Sequence, residues 1–282
     1  MEEPVTGRLR SVTSWPVTTV AAGWIDGSGG SERIGPTDRA FPLASVTKPL
    51  AAWTMLVAIE EGTLDLDAPL GPPGSTVRHL LSHASGLGDD PDRPLTRPEQ
   101  RRIYSNAGFS ILGRALAERS GLPTPEYFRE ALVEPLGLRA TRLDGSPAHA
   151  AVGSVDDLLL VAAEWLRPSL LAPETMLAAR SPQFPDLIGV LPGYGAQDPN
   201  PWGLGFEVRG HKSPHWTGQG NSPATFGHFG RSGTFVWVDP VADMACVVLT
   251  DEPFGPWAVS RWPSLSDAAL GARPTPEAHP AT

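Results

Sequence analysis

Residues 45–62 read SVTKPLAAWTMLVAIEEG, and this stretch decides how the rest of the chain is arranged. Its apolar residues recur at helical spacing, and Gly62 supplies a stop because glycine adopts left-handed backbone angles freely. Pro49 lies at the edge of the first turn, where proline is still tolerated, so we expect that turn to be irregular. The stretch therefore predicts a helix from Ser45 to Glu61, with the serine near its N-terminus.

The segments on either side of this helix differ in character. Upstream, residues 17–23 are β-branched or small and lead into DGSGG at 26–30, which predicts a strand, a tight turn and a short second strand at 32–34. Downstream, helical patterns follow at about 76–83, 106–118, 125–133, 154–167 and 174–180. Strand patterns then occupy 203–209, 225–228, 234–238 and 244–250, before a final helix at 257–270.

This order of elements predicts an α/β fold of the α+β type. Strands from both chain ends can pair in one antiparallel sheet flanked by helices, with the helical segment inserted as a mostly helical lobe. We assign residues 1–65 and 203–270 to the α/β lobe, 66–202 to the helical lobe and 271–282 to a disordered tail. A ligand-binding cleft is expected between the lobes.

Charge and composition exclude several classes of partner. The chain has 282 residues, a net charge of −9 and no basic cluster, which disfavours nucleic acid and anionic membranes because both attract concentrated Lys and Arg. It contains no secretory signal and no apolar run of membrane-spanning length, so we expect a cytoplasmic protein. The single cysteine, Cys246, lies in an apolar strand pattern and is expected to be a packed thiol. The oligomeric state is left open.

No metal or cofactor site is predicted. His79 and His83 are four residues apart, as zinc ligands can be, but Leu80 stands where a metalloprotease carries glutamate and no third ligand is evident. We expect His83 to brace a loop by hydrogen bonding. The glycine-rich stretches near residues 28 and 193 lack the spacing of a phosphate-binding loop.

The sequence Ser45-Val-Thr-Lys48 carries the first chemical signal. Residues three apart on a helix share a face, so the hydroxyl and the amine can meet. A serine becomes a good nucleophile only beside a base, and a buried lysine supplies one in its neutral form. Of the 22 Lys and Arg residues only Lys48 and Lys212 are lysines, and arginine cannot give up its proton. The alternative is a solvated lysine that happens to follow a serine.

Two further motifs extend this signal. Tyr104-Ser-Asn106 precedes a helix, where the phenol can relay protons and the amide can position both an amine and a substrate carbonyl. GHFGRSG at 227–233 falls on a strand, where Gly230 lets a ligand approach the backbone and His228 can add positive charge or donate a hydrogen bond. The alternatives are an aromatic residue packed before a helix cap and a hairpin with a satisfied histidine.

Together the Ser-x-x-Lys, Tyr-x-Asn and His-x-Gly elements resemble the serine β-lactamase and penicillin-binding protein superfamily. The Tyr-x-Asn version resembles its class C β-lactamase-like branch, which also contains family VIII carboxylesterases and D-amino-acid-specific peptidases. The segments LLSHASGL at 80–87, YSNAGFSILG at 104–113 and EPLG at 134–137 extend the similarity, which runs from about Val17 to Thr250.

The resemblance implies a role for each matching residue. It makes Ser45 the nucleophile and gives proton transfer to Lys48 and Tyr104. It gives substrate binding and oxyanion stabilisation to Asn106, His228, Gly230 and Arg231, with backbone N–H groups of Ser45 and Arg231 forming the oxyanion hole. His228 takes the place of the lysine found in the family's third motif.

This third motif also limits the expected activity. It reads His-Phe-Gly where β-lactamases carry Lys-Thr-Gly, whose lysine and threonine help to hold the drug's carboxylate. We therefore expect a serine hydrolase that works through an acyl-enzyme on a small ester or amide, with an esterase favoured over a true β-lactamase. A D-amino-acid peptidase or amidase, a weak β-lactamase and a non-catalytic binding protein on the same fold are the alternatives.

Several details stay open at this point. Arg231 either binds an acidic group of the substrate or points to solvent. The acyl group and the leaving group of the substrate are undefined. So is the first proton acceptor, because Lys48 and Tyr104 are coupled groups that can share this role.

Overall fold

The computed structural model describes residues 7–271, and its main element is a six-stranded antiparallel sheet. In chain order the strands are β1 (Val20–Asp26), β2 (Ser31–Ile34), β3 (Phe41–Pro42), β4 (Arg142–Leu143), β5 (Ala151–Gly153), β6 (Gly189–Leu191), β7 (Gly195–Gln197), β8 (Glu207–Val208), β9 (Phe226–Gly230), β10 (Thr234–Asp239) and β11 (Met244–Thr250). The main sheet has the order β2-β1-β11-β10-β9-β8, while β3, β5 and β4 form a small second sheet and β6 and β7 pair with each other.

Most helices lie between β3 and β6 in the chain. They are α1 (Thr47–Glu60), α2 (Val77–Leu81), α3 (Asn106–Ser120), α4 (Thr124–Phe128), α5 (Glu134–Leu136), α6 (Val155–Leu166), α7 (Pro173–Arg180) and, after the last strand, α8 (Pro256–Ala269). Short 3-10 turns occupy Arg10–Ser14 and Ala44–Val46, and a π-helical turn at Arg129–Val133 joins α4 to α5. Within residues 7–271, no helix is both long and apolar enough to span a bilayer.

The first and the last strand of the chain are neighbours in the middle of the main sheet. Strand β1 pairs antiparallel with β11, from Val20 opposite Thr250 to Asp26 opposite Met244. The helical segment is inserted between these strands, which confirms the predicted α/β fold with a sheet built from both ends of the chain. The predicted disordered tail, 271–282, lies outside the described residues apart from Gly271.

The sheet separates two hydrophobic cores. All seven residues of β11 are buried, and their side chains alternate between the two faces. Val247 and Leu249 join the core that contains α1 and α6, whereas Cys246 and Val248 join the core under α8, around Trp262. Burial raises the pKa of the Cys246 thiol, so this cysteine is the packed thiol that the sequence predicts.

Helix α1 differs from its prediction in two respects. It begins at Thr47 rather than at Ser45, because a 3-10 turn precedes it and holds the serine. It is also buried on nearly every side from Thr47 to Leu56, instead of facing the core with one stripe. A helix packed between the sheet and the other helices needs apolar or small residues all round, and AAWTML supplies them.

The strand predicted at 203–209 is largely absent, and only Glu207–Val208 pairs with β9. The reason is local backbone geometry. Gly205 has a φ of +85° and donates its N–H to the carbonyl of Leu81 at 2.9 Å. A side chain there would collide with Ala52 of α1, at 2.0 Å from its Cβ. This segment therefore turns to pack against the helices instead of continuing the sheet.

Candidate active site

Ser45 lies in the 3-10 turn between β3 and α1, at the wall of a cavity. The residue before it, Ala44, has a φ of +45°, in the left-handed region that residues with a side chain rarely adopt. Such backbone strain costs about 1–3 kcal/mol and persists where surrounding contacts enforce it, often at functional sites. Pro49 predicts an irregular first turn, but no local pattern indicates the left-handed backbone of Ala44.

A close approach between β9 and this turn fixes the position of Ser45. A Cβ added at Gly230 would lie 2.4 Å from the carbonyl oxygen of Leu43 and 2.5 Å from Thr234 Oγ1. The hydroxyl of Thr234 donates to the same carbonyl at 3.0 Å. Strand β8 pairs only with Phe226 and Gly227 of β9, so the second half of β9 lies at a sheet edge beside the turn.

Gly230→Ala is therefore expected to damage both stability and activity. The added methyl group must push β9 away from a backbone carbonyl that cannot rotate aside, so we expect a loss of about 1–3 kcal/mol in unfolding free energy and at least about a tenfold loss of kcat/KM. Thermal denaturation and steady-state kinetics measure both effects. Gly255→Ala is the matched control, since its Cβ meets only ordinary contacts at 3.8 Å or more; equal behaviour of the two variants would contradict the account.

Lys48 projects from the first turn of α1 into contact with three oxygen atoms. Its Nζ lies 2.7 Å from Asn106 Oδ1, 2.8 Å from the carbonyl oxygen of Ala148 and 3.4 Å from Ser45 Oγ. The first two can only accept hydrogen bonds, so they use two N–H groups of the amine. The remaining position around the nitrogen faces the hydroxyl of Ser45. In the neutral amine this position holds the lone pair, which can accept the hydroxyl proton.

Burial favours this neutral form of the amine. It lowers the pKa of Lys48 from 10.5 to about 7, and the carboxylate of Asp89 opposes the shift only in part. Among residues 7–271, no carboxylate is bonded directly to Nζ. A large share of Lys48 is thus unprotonated at neutral pH and able to accept a proton.

Tyr104 approaches Ser45 from the helical lobe. Its hydroxyl donates to Ser45 Oγ at 2.7 Å, and the Lys48 Nζ lies 4.5 Å from the centre of its ring. Burial raises the pKa of Tyr104 above its usual value of 10. The phenol is therefore protonated at neutral pH, while Lys48 is the group of the pair that can take a proton first.

Asn106 begins α3 and links the site to a residue that the sequence did not single out. Its Oδ1 accepts from Lys48, while its Nδ2 donates to Asp89 Oδ1 at 3.0 Å. The carboxylate fixes the orientation of the amide, because only the Nδ2 end can bond to it. Asp89 lies directly after the LLSHASGLG segment, in a stretch that the sequence presented only as a loop.

His83 braces the segment that carries Tyr104. Its Nδ1 accepts the backbone N–H of Ser105 at 3.2 Å, its carbonyl accepts the N–H of Ile103 at 3.0 Å, and its ring lies 4.7 Å from the tyrosine ring. Complete burial lowers the pKa of His83, so the ring stays neutral. This is the loop-bracing role that we expected from the sequence.

His79 serves the structure in a different way. Its Nδ1 caps α2 through Thr76, and its Nε2 lies 3.0 Å from Glu99 Oε1. Within the described residues no cluster of three or more His, Cys, Asp or Glu side chains has the arrangement of a metal site. The two histidines are thus occupied by separate hydrogen bonds.

His228 is buried beside the cavity and carries no charge. Burial lowers its pKa from 6.5 to about 3. Its Nδ1 lies 2.6 Å from the carbonyl of Phe229, which can only accept, so Nδ1 holds the proton and Nε2 is left as an acceptor. The structure therefore favours a neutral His228 over one that adds positive charge, and the substrate-binding role of this residue stays a prediction.

The cavity beside Ser45 has a volume of about 400 Å³ and mostly apolar walls. Its lining residues come from the loop after β6, from β8 and β9, from the segment before α8 and from both motifs described above; they are Ser45, Tyr104, Asn106, Leu191, Pro192, Gly193, Trp202, Glu207, His228, Phe229, Arg231 and Phe254. Arg231 is exposed at the cavity mouth, and its carbonyl accepts the N–H of Phe254 at 2.9 Å.

Glu207 is a lining residue that the sequence did not reveal. It is buried and bonded to three groups: the Lys212 amine, the indole N–H of Trp216, and His215 Nε2 at 2.9 Å. Burial alone would raise the pKa of Glu207, but Lys212 and His215 outweigh it and hold that pKa below its usual range. The second lysine of the chain thus neutralises a buried carboxylate and is not a free base.

The sequence profile of the family described as Beta-lactamase matches residues 16–270. The chain belongs to the beta-lactamase family. This confirms the resemblance drawn from the three motifs. Among solved structures, a beta-lactamase from Mycobacterium bovis is 53% identical, with a TM-score of 0.91 over 94% of this chain and 98% of that one.

Other proteins that are similar to this chain have different described activities. EstCE1, a hydrolase with promiscuous acyltransferase activity, has a TM-score of 0.72 at 19% identity, covering 93% of this chain and 96% of that one, and so shares the fold. The D-alanyl-D-alanine-carboxypeptidase/endopeptidase AmpH of Escherichia coli K12 is 29% identical over 147 residues. That match covers 39% of this chain and 38% of the AmpH protein, well under half of its length.

Proposed function

We propose that this beta-lactamase family hydrolase is an esterase that forms an acyl-enzyme on Ser45. The observation that carries the proposal is the convergence of a neutral amine, a protonated phenol and the serine hydroxyl at the wall of an apolar cavity. Lys48 Nζ and Tyr104 Oη lie 3.4 Å and 2.7 Å from the same Oγ. This arrangement supplies both a base for the nucleophile and an acid for the leaving group.

In the acylation step, Lys48 accepts the hydroxyl proton as Ser45 Oγ attacks the ester carbonyl carbon. The carbonyl oxygen becomes an oxyanion, for which we assign the backbone N–H groups of Ser45 and Arg231 as donors. The carbon–oxygen bond to the alcohol then breaks. Tyr104 gives its proton to the departing oxygen, and Lys48 returns a proton to the tyrosine.

Deacylation repeats these transfers with water. A water molecule attacks the acyl carbon and its proton passes to the Lys48–Tyr104 pair. The bond between the acyl carbon and Oγ breaks, Ser45 regains its proton and the carboxylic acid leaves. The groups are restored, so no other reactant is needed.

Tyr104→Phe is expected to lower kcat by about 10²- to 10³-fold with a smaller effect on KM, because the leaving alkoxide loses its proton donor. The substitution removes only the hydroxyl group, so the packing of the aromatic ring is preserved. Tyr127→Phe is the matched control, since this tyrosine lies in the helical lobe and bonds to Glu61. Steady-state kinetics on one ester measures the difference; a kcat for Tyr104→Phe within threefold of the control would rule out the proton-donor role.

The cavity favours a neutral ester over a β-lactam drug. Its wall carries neutral His228 and apolar Phe229 in the motif where β-lactamases hold a carboxylate. Arg231 is the one permanently positive side chain among the lining residues, and it is exposed. The carboxylate of a β-lactam drug could therefore pair with solvated Arg231 at the cavity mouth, but with no cation among the residues that line the interior.

A peptidase that acts on D-amino-acid peptides is the second candidate. Arg231 can bind the terminal carboxylate of such a peptide, and AmpH, a relative over 147 residues, is described as a D-alanyl-D-alanine carboxypeptidase. Because the similar Mycobacterium bovis protein is described as a beta-lactamase, weak β-lactamase activity of this chain is a third possibility to test. The predicted cytoplasmic location stays a prediction.

One panel separates these activities. p-Nitrophenyl acetate, nitrocefin and N-acetyl-D-alanyl-D-alanine are each assayed with the wild type and with Ser45→Ala. Ester turnover that is lost in Ser45→Ala supports the esterase. Serine-dependent release of D-alanine from the peptide alone supports the peptidase, turnover of nitrocefin alone supports a β-lactamase, and no serine-dependent turnover supports a binding protein.

A further inference from the structure

A second concave surface lies beside the catalytic cavity. It has a volume of about 560 Å³ and is lined by Leu95, Thr96, Arg101, Arg102, Ile103, Tyr104, Gly189, Val190 and Pro192. We call it the outer groove. Tyr104 and Pro192 line both this groove and the catalytic cavity, so the two spaces adjoin at these residues.

The walls of the outer groove are unusually apolar for a protein surface. Leu95 is 65% exposed and Val190 56%, and both belong to the six large hydrophobic side chains that are exposed within the described residues. Ile188, 41% exposed, precedes the lining strand β6. Exposed apolar side chains gathered around one groove indicate a binding surface rather than scattered surface residues.

Charge adds little to this groove. The Arg102 guanidinium is bonded to four carbonyl oxygens, those of Ser82, Gln183, Phe184 and Asn200, at 2.7–3.1 Å. Four of its five N–H groups are thus used inside the protein, and the residue is 3% exposed, so it offers little to a ligand. Arg101 is the other charged lining residue and is exposed, and none of the described residues that line the groove is acidic.

The direction of the groove relates it to one part of the substrate. In the mechanism proposed above, Tyr104 gives its proton to the departing alcohol, so that oxygen must lie next to Oη. Tyr104, which carries Oη, lines both the cavity and the groove. A leaving group bonded to this oxygen can extend along the ring into the outer groove, while the acyl group stays in the catalytic cavity.

We propose that the outer groove binds the alkyl chain of the leaving alcohol, so that the preferred substrates are esters of linear, medium-chain alcohols. The proposal rests on the esterase function. Each methylene transferred from water into an apolar site contributes up to about fourfold in affinity at full burial. An open groove buries only part of each methylene, so we expect the ratio of kcat/KM for octyl acetate to that for ethyl acetate to be at least about tenfold.

Val190→Asp tests the proposal, because a carboxylate in the groove wall must be desolvated by an alkyl chain. The octyl-to-ethyl ratio is expected to fall towards one. Val241→Asp is the matched control: Val241 is 74% exposed in the turn between β10 and β11, away from the groove, and the ratio should remain that of the wild type. Leu95→Asp repeats the test on the opposite wall if Val190→Asp has a lowered melting temperature.

Binding of 1-octanol to the Ser45→Ala variant gives a readout that does not need turnover. Calorimetry should detect binding that Val190→Asp weakens at least about fivefold and Val241→Asp leaves unchanged. A flat wild-type ratio, with ethyl acetate still hydrolysed through Ser45, overturns the groove proposal alone. If octanol binding depends on Val190 but no ester is turned over, the esterase function is overturned, while the binding of an alkyl chain in the outer groove is supported.

Discussion

Ser45→Ala is expected to reduce ester turnover to the uncatalysed background, a loss on the order of 10⁵- to 10⁶-fold in kcat. The hydroxyl is the atom on which Lys48 and Tyr104 converge, and neither of them can replace it as the acyl acceptor. Removing a nucleophile from a cooperating set costs nearly as much as removing the whole set. Ester hydrolysis in the presence of purified enzyme, with intact-protein mass spectrometry for the acyl adduct, measures this loss.

The matched control is Ser266→Ala. Ser266 is also buried in the α/β lobe, but it lies on α8 and accepts the indole N–H of Trp237 at 3.1 Å. Its loss should cost about 1 kcal/mol of stability and leave turnover intact. Residual acyl adduct formation in Ser45→Ala above one-hundredth of the wild-type rate would place the nucleophile elsewhere.

Lys48→Arg is expected to lower kcat/KM by about 10³-fold or more. Arginine keeps its proton at every accessible pH, so the base is lost although the positive charge remains. General-base catalysis typically contributes 10²- to 10⁴-fold, and the larger guanidinium also disturbs the oxygens of Asn106 and Ala148. The measurement is kcat/KM on the same ester.

Lys48→Met separates catalysis from folding. Methionine fills a similar volume without an amine, but Asn106 Oδ1 and the carbonyl of Ala148 lose their donor, so we expect a folded protein whose unfolding free energy falls by about 1–3 kcal/mol. Activity should fall as far as in Lys48→Arg. If either variant kept a tenth of the wild-type kcat/KM, Lys48 would not be the base.

The rarity of lysine in this chain pointed to two residues, and only their surroundings distinguish them. Both lysines are buried. Lys48 is bonded to no carboxylate of the described part of the chain and has a pKa of about 7, whereas Lys212 is bonded to Glu207 and also lies 3.1 Å from Asn200 Oδ1. Spacing from a serine singled out Lys48 in the sequence. No sequence pattern around Lys212 indicates that it neutralises a carboxylate in the cavity wall. Its partner Glu207 belongs to a strand of only two residues, and the glycines before that strand make it hard to recognise from the sequence.

Long elements with clear end signals were predicted well. Strand β11 has the predicted bounds, 244–250, because a fully apolar run is typical of a central strand. Helix α3 begins at Asn106 as predicted and ends at Ser120, where Gly121 caps it with a φ of +74°. The turn of Ser45 was missed because it depends on the approach of β9 from residues about 185 positions later in the chain. Contacts of that kind leave no local pattern.

The chemistry of His228 shows the same limit. The sequence allowed a charged or a neutral ring, and only burial and the carbonyl of Phe229 select the neutral form with its proton on Nδ1. The sequence likewise offered no reason to single out Asp89, and its role follows only from the hydrogen bond that Asn106 donates to it in the structure. Motifs thus identified the groups that meet at Ser45, while their protonation states required the folded structure.

The pH dependence of covalent labelling at Ser45 tests the central claim most directly. The wild type is reacted with a fluorophosphonate probe between pH 5 and pH 9, and the adduct is located by peptide mass spectrometry. Because the active form of Lys48 is unprotonated, the labelling rate should rise with pH through an apparent pKa of about 7 and then level off, with all label on Ser45. Label on another residue, or a rate that ignores pH across this range, would contradict the account.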